Sequence, residues 1–272
     1  MVEPASPQTQ AVIQQQMESP APGVGIFNLP TGLFEGGNLI TEVQLREISG
    51  VEEDLLLAKS GSPLQKFNTV LTNCIVRIGS ITSRETIARL ALDMRTGDRS
   101  FLLICLRRVS LGDEYPFEFK CENDACAAKS TQTVNLADLE TFQADEPAKM
   151  TWEFVLPSKR VAVVKVATGH LEMTQDKVGK THSADAVTRA LATRLESLNG
   201  ASVTIPVIQQ MPIRDRDALR GFFDKIDGGI ETTVEVACPV CKTEVSVEVD
   251  PGTAGFFFPS ALKKRSKPKS AS

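Results

Sequence analysis

Six cysteines stand in this chain of 272 residues, and four of them fall in two close pairs. Cys238 and Cys241 have C-x-x-C spacing within TVEVACPVCKTEVSVEV (233–249). Cys121 and Cys126 stand one after the other in PFEFKCENDACAAKSTQTVNL (116–136), with four residues between them. Both pairs lie between runs that alternate apolar and polar residues, so each is expected at the tip of a β-hairpin. Close cysteine pairs serve redox exchange, disulfides or metal binding, and buried thiols without a ligand are a further alternative. A redox C-x-x-C normally opens a helix, whose N-terminus acidifies the thiol; here a strand, KTEVSVEV, follows. Disulfides belong to oxidising compartments, and the N-terminus lacks the basic start and apolar run of an export signal. Metal is the reading the pattern favours. Two knuckles of two thiolates each make a tetrahedral zinc site. With Cys121, Cys126, Cys238 and Cys241 as ligands no position is left open, so the zinc would be structural and worth on the order of 10 kcal/mol. The wider spacing of the first pair departs from the usual two residues. Cys74 (VLTNCIVRI) and Cys105 (FLLICLRRV) lie in apolar helical runs and read as core.

The segments around the pairs appear in the same order twice. LITEVQLREI (39–48) alternates as a strand, and Ser49 and Glu52 then have capping-box spacing. RVAVVKV (160–166) is again a strand, followed by Thr168 as a cap. Helices are expected over 62–79 and 182–200, each ending at glycine. GDRSFLLICLRRVSLGDEYPFEFKC (97–121) aligns without a gap on RDRDALRGFFDKIDGGIETTVEVAC (214–238). Asp98–Arg99 falls on Asp215–Arg216, near a helix start where acid favours the dipole, and Cys121 falls on Cys238. The fold class expected is α+β: two tandem related repeats, each strand, helices and β-hairpin, joined by a shared zinc-knuckle site about a pseudo-twofold axis. The organisation expected is an extended or disordered arm (1–25), a first repeat (26–138), a linker (139–151), a second repeat (152–252), and a Phe-rich segment with a basic tail (253–272).

Composition narrows the function. The net charge of −4 is not that of a nucleic-acid binder, and no apolar run approaches the ~20 residues of a membrane span. One Trp (Trp152), one Tyr (Tyr115) and two His are a thin supply for acid–base catalysis. His170 falls on a cap turn and His182 at a helix start. No phosphate loop or hydrolase elbow is present, so no enzyme is expected. AGFFFPSAL (254–262) either folds back as a core plug or docks into a partner. GIFNLPTGLFEGG (25–37) reads as a segment laid along a neighbour. The partner contacts expected are Phe27, Leu29, Phe256, Phe257 and Phe258. Both tails are expected to order only against a neighbour.

FNLPTG, VQLREISGVEEDLLLA, NCIVRIG, DRSFLLICLRRVSLGDEY, the two cysteine pairs and FFFPS occur here in one order over residues 25–260. In this the chain resembles the baseplate hub assembly family of contractile-tailed phages, of the T-even type. The resemblance implies a non-enzymatic structural part or assembly factor of the baseplate hub. It implies hub or wedge proteins as partners, with self-association within the baseplate also open. It implies assembly in the host cytoplasm and a final place in the virion tail. The alternative from another class is a zinc-ribbon nucleic-acid-binding or regulatory protein, motivated by the basic tail. The acid-rich flanks of the knuckles, without an aromatic and arginine face, speak against it.

Overall fold

A computed structural model describes residues 23–178 and 186–258. His182, the basic tail and all but the end of the expected arm lie outside them. The fold is mixed α/β. Strands Val24–Glu35 (β1) and Asn38–Arg46 (β2) form a hairpin around Gly36–Gly37, both at positive φ as a two-residue turn requires. Helices Gly50–Leu57 (α1) and Pro63–Cys74 (α2) follow, and then Ile75–Ile78 (β3), which pairs with β2. Helices Arg84–Asp93 (α3) and Thr96–Leu111 (α4) lead into the hairpin Glu114–Lys120 (β4) and Lys129–Asn135 (β5). Residues 139–151, read as a linker, carry Thr141–Phe142 (β6).

The second half runs through Thr151–Val155 (β7), Val161–Lys165 (β8), Gly169–Val178 (α5), Ala186–Arg194 (α6) and Leu195–Leu198 (β9). It continues with Ala201–Ser202 (β10), Ile205–Gln209 (α7), Ile213–Asp227 (α8) and Gly229–Ile230 (β11), the last paired with β6. Hairpin Thr233–Ala237 (β12) and Glu244–Glu248 (β13) and the short helix Ala254–Phe257 (α9) complete it.

Three expectations are corrected. The segment 25–37 is not laid along a neighbour but forms β1, and it buries Leu29 in the chain's own core with Phe27 packed against it. Phe256 and Phe257 are 0% and 1% exposed in that same core, and Phe258 lies against it. Of the two alternatives weighed for this segment, the core plug is the one observed. Leu29, Phe256 and Phe257 therefore have no surface to offer a partner. The helices expected over 62–79 and 182–200 stop at Cys74 and Arg194, and their ends become β3 and β9. Apolar residues at 75 and 78, and at 195 and 198, fit a helix and a short strand equally well. The β-branched Ile75 and Val76 and an edge offered by β2 tip the balance.

The two halves agree in detail. Pairing of β2 with β3 runs Val43↔Ile78, Gln44↔Arg77, then shifts to Leu45↔Ile75. Pairing of β8 with β9 runs Ala162↔Leu198, Val163↔Ser197, then shifts to Val164↔Leu195. Leu29-Pro30-Thr31-Gly32 and Leu156-Pro157-Ser158-Lys159 each end on a residue at positive φ, 87° and 67°. Each is gripped by a fully buried aspartate at the start of the long helix. Asp98 accepts the amides of Thr31 and Gly32 at 2.9 and 3.1 Å, and Asp215 accepts the Ser158 amide at 3.0 Å and the Arg160 guanidinium at 2.9 Å. Burial pushes the Asp98 carboxyl up to about 6 against the pull of those amides. Burial also pushes Asp215 up, but Ser158 and Arg160 outweigh it and hold this carboxyl below its usual range. The adjacent arginines match as well: Arg99 donates to the Ala91 carbonyl and to Asn68 Oδ1, and Arg216 to the Ile208 carbonyl and to Thr188 Oγ1. These pairs are thus buried clamps rather than simple helix caps.

Along the start of α4 unlike positions meet, so the expected pseudo-twofold does not extend to this joint, although the contacts between the two cysteine pairs, Cys121–Cys241 and Cys126–Cys238, do relate matching positions. Thr96 N bonds Ala167 O at 3.0 Å and Gly169 N bonds Met94 O at 3.1 Å. A Cβ on Gly97 would lie 2.2 Å from the Gly228 carbonyl oxygen, so only glycine fits there. Arg95, 2% exposed, crosses the joint and donates to the carbonyls of Ile226, Glu146, Pro147 and Lys149.

Two measurements test this account. Arg95→Ala should cost about 3–5 kcal/mol in urea unfolding, because one buried and three part-buried carbonyls lose their donor, and Arg95→Lys should recover only part of it. The second concerns Glu52, buried in the capping box expected from the sequence, with Ser49 N at 3.0 Å and Arg46 at 2.8 Å. The bond from Arg46 is the main cause that holds its carboxyl down at about 2. A depressed acid stabilises the fold above its unfolded value near 4.5 and loses that contribution as pH falls through the folded value. Glu52→Gln should therefore cost about 1–2 kcal/mol at neutral pH, the partly exposed Arg46 screening the pair, and the gap from wild type should close between about pH 5 and pH 2.

Candidate metal centre

The two short hairpins reach the same point through different turns. In β12–β13 the turn closes with Cys238 N to Thr243 O at 2.8 Å and Lys242 N to Cys238 O at 2.9 Å. In β4–β5 the matching bonds are Cys121 N to Ala128 O at 2.9 Å and Ala127 N to Asn123 O at 2.8 Å. The residue after the second cysteine is left-handed in both, Ala127 at φ 44° and Lys242 at φ 63°. The first turn thus starts at Asn123 rather than at the cysteine, and the two extra residues carry Cys121 back to the strand end. This accounts for the wide spacing of the pair. The Asn123 side chain holds the loop by accepting the Ala125 amide at 3.0 Å.

The hairpins are aligned by Gln132 Nε2, which donates to the Ala237 carbonyl at 2.7 Å. An apolar floor of Phe119, Val236, Val245 and Val247 lies under the sulfurs. Strand alternation puts these side chains on one face, as the sequence pattern implied.

All four expected cysteines come together. The ligand atoms of Cys121, Cys126, Cys238 and Cys241 lie within 4.8 Å of one another. Cys121 Sγ is 3.5 Å from Cys241 Sγ, and Cys126 Sγ is 4.0 Å from Cys238 Sγ. Sulfurs ~2.3 Å from a common ion at tetrahedral angles stand ~3.8 Å apart, so the cluster has the size of a four-thiolate site. The distances are far too long for disulfide bonds, ~2.05 Å. Both close approaches join one hairpin to the other, so an ion here would bridge the two halves. The Thr243 hydroxyl, 3.2 Å from Cys241 Sγ, and the Thr243 amide draw that thiol down to about 6.

The other candidates separate as the sequence suggested. Cys74 and Cys105 are buried in the main core, and burial pushes both thiols up to about 12, where they neither ligate nor react. His170 is exposed and faces Asp93 at 3.2 Å. Sequence reasoning missed Gln132, Asn123 and Thr243, which hold the turns and set the environment of the sulfurs. Their polar side chains carry no spacing signal of their own.

A sequence model described as T4 bacteriophage base plate protein matches residues 35–258. No curated protein and no solved structure matches the chain. Among the described residues no helix is long and apolar enough to cross a membrane.

Replacing any one of Cys121, Cys126, Cys238 or Cys241 by serine should abolish the sulfur-to-metal charge-transfer absorption of a cobalt-loaded sample, while Cys74→Ala should leave it intact. A spectrum that survives single replacements would mean the four sulfurs do not act as one ligand set.

Proposed function

The chain belongs to the T4 bacteriophage base plate protein family, and from that premise we propose that it is a non-enzymatic part or assembly factor of the baseplate hub, clasped by one structural zinc. Family membership places it in the virion tail, among other baseplate proteins. The finer reading rests on one observation: four sulfurs from two distant hairpins converge at zinc-site dimensions with no ligand position left for water or substrate. Bound there, zinc would supply no chemistry beyond fixing the hairpins. Cys121 and Cys126 would hold it from one half, and Cys238 and Cys241 from the other.

The two halves, 26–138 and 152–252, are best understood as tandem repeats of one ancestral unit. The shared register shift of the central strand pair and the Leu-Pro-Thr/Ser corner gripped by a buried aspartate support this, being details that packing alone does not demand. Hub or wedge proteins are the proposed partners, with copies of the chain itself as a further one. The Phe-rich segment is spent on the chain's own core, so contacts fall to other surfaces. Phe34 and Leu39 form an exposed cross-strand pair at the tip of β1–β2, as Val155 and Val161 do at the tip of β7–β8.

Native mass spectrometry of protein purified without added metal should give one zinc per chain. A folded, metal-free protein with four free thiols would overturn the clasp. Cross-linking mass spectrometry of purified particles and of hub intermediates should link the chain to hub neighbours. Recovery only with sheath or head proteins would overturn the hub reading.

A further inference from the structure

Two clefts adjoin along one side of α4, sharing Ser100 in their walls. The first, ≈ 420 Å³, has an apolar floor that includes Pro63, Phe67 and Leu103. The second, ≈ 790 Å³, continues past Phe142 to the joint between the halves. Together they make one groove, and its rim is acidic. Glu248 and Asp250 stand on the first cleft, and Asp145, Asp224 and Glu231 on the second. All five are exposed, and none is in an ion pair among the described residues. The cations at the rim are Lys225 and Arg99, and Arg99 is already engaged by Glu172 at 2.9 Å.

The described chain ends beside this groove. The Phe257 ring is 6.0 Å from that of Phe67 on the groove floor, and Phe258, the last described residue, is next to it. The chain continues from there as PSALKKRSKPKSAS (259–272), with five basic residues and no acid in a protein whose net charge is −4. The apolar Ala261 and Leu262 come first and Lys263, Lys264 and Arg265 next, the same order as an apolar floor beside Phe67 and then an acidic rim. Lys263 is five residues beyond Phe258, a reach of at most about 17 Å.

We propose that this groove receives the chain's own basic tail, residues 259–272. The neighbour against which the tail orders is then the acidic face of the same molecule. The proposal does not depend on the zinc clasp or on the hub assignment.

Zero-length carbodiimide cross-linking of the full chain, mixed from equal parts light and ¹⁵N-labelled protein, tests it directly. The expected products join Lys263, Lys264 or Lys267 to Glu231, Glu248 or Asp250 within a single isotopic label. Their yield should fall roughly tenfold as salt is raised from about 0.01 M to about 1 M, which shortens the screening length from ~30 to ~3 Å. In a second measurement Glu231→Lys/Glu248→Lys, if its thermal melt matches wild type, should be cleaved by trypsin after Lys263–Arg265 roughly tenfold faster at low salt. Products joining mixed labels would assign the groove to the tail of a second copy. Cross-links spread over other acids, or tryptic cleavage indifferent to salt and to the variant, would overturn the proposal.

Discussion

A buried joint between two α/β halves must find partners for the backbone groups it removes from water. Here one short segment meets that demand, Arg95-Thr96-Gly97-Asp98, at the start of α4. Asp98 turns back to its own half and takes the two amides freed where β1 shifts register. Arg95 turns the other way, and its planar fork reaches one carbonyl of the following half, that of Ile226, and three of the linker that leads into it. Thr96 pairs with Ala167, and Gly97 lets the backbones of 97 and 228–229 touch. In the second half the same positions read Pro212-Ile213-Arg214-Asp215. The aspartate keeps its local task, but neither the long donor nor the glycine is present. The local clamp therefore exists twice and this joint once.

The range of each interaction decides how much of this could be read in the sequence. The cysteine hairpins, the Ser49–Glu52 box and the core cysteines were legible because strand alternation, capping and apolar runs are local. The strands β3 and β9 were not, since IVRI and LESL suit either element and only the neighbouring β2 or β8 decides between them. The fate of Phe256 and Phe257 was equally undetermined, because the core they fill belongs to residues more than a hundred positions earlier. Arg95 gave no signal at all: an arginine before a helix is ordinary until the carbonyls it reaches are known.

The sulfur cluster and the phenylalanine plug lie at opposite ends of one strand. On β4, Phe119, Phe117 and Tyr115 follow one another on a single face, with ring centroids 6.0 and 6.4 Å apart. Phe119 joins the apolar floor of the cysteine cluster, and the Tyr115 ring packs tilted against that of Phe256, with centroids 5.1 Å apart. Arg107 lies over the Tyr115 ring and donates to the Phe256 carbonyl at 2.9 Å, fixing the plug where it enters. A rotation of the β4–β5 hairpin would disturb both ends together. The metal clasp, by setting the angle of that hairpin, would also set the seat for the plug.

The same chain of contacts shows what a metal clasp would add at this place. The main core draws on the first half, on Val249 and on the plug, while among the described residues the second half buries a smaller set, centred on Val164, Leu219 and Ile226. A small core leaves little margin over the conformational entropy of the chain that makes it. A metal held by the cluster would close a loop of 120 residues between Cys121 and Cys241. Constraints on long loops remove the most freedom from the unfolded chain. That loop contains the whole core of the second half. A metal bond there would act chiefly on the part of the molecule with the least apolar burial, with Arg95 holding the near end of the loop and the plug the far one.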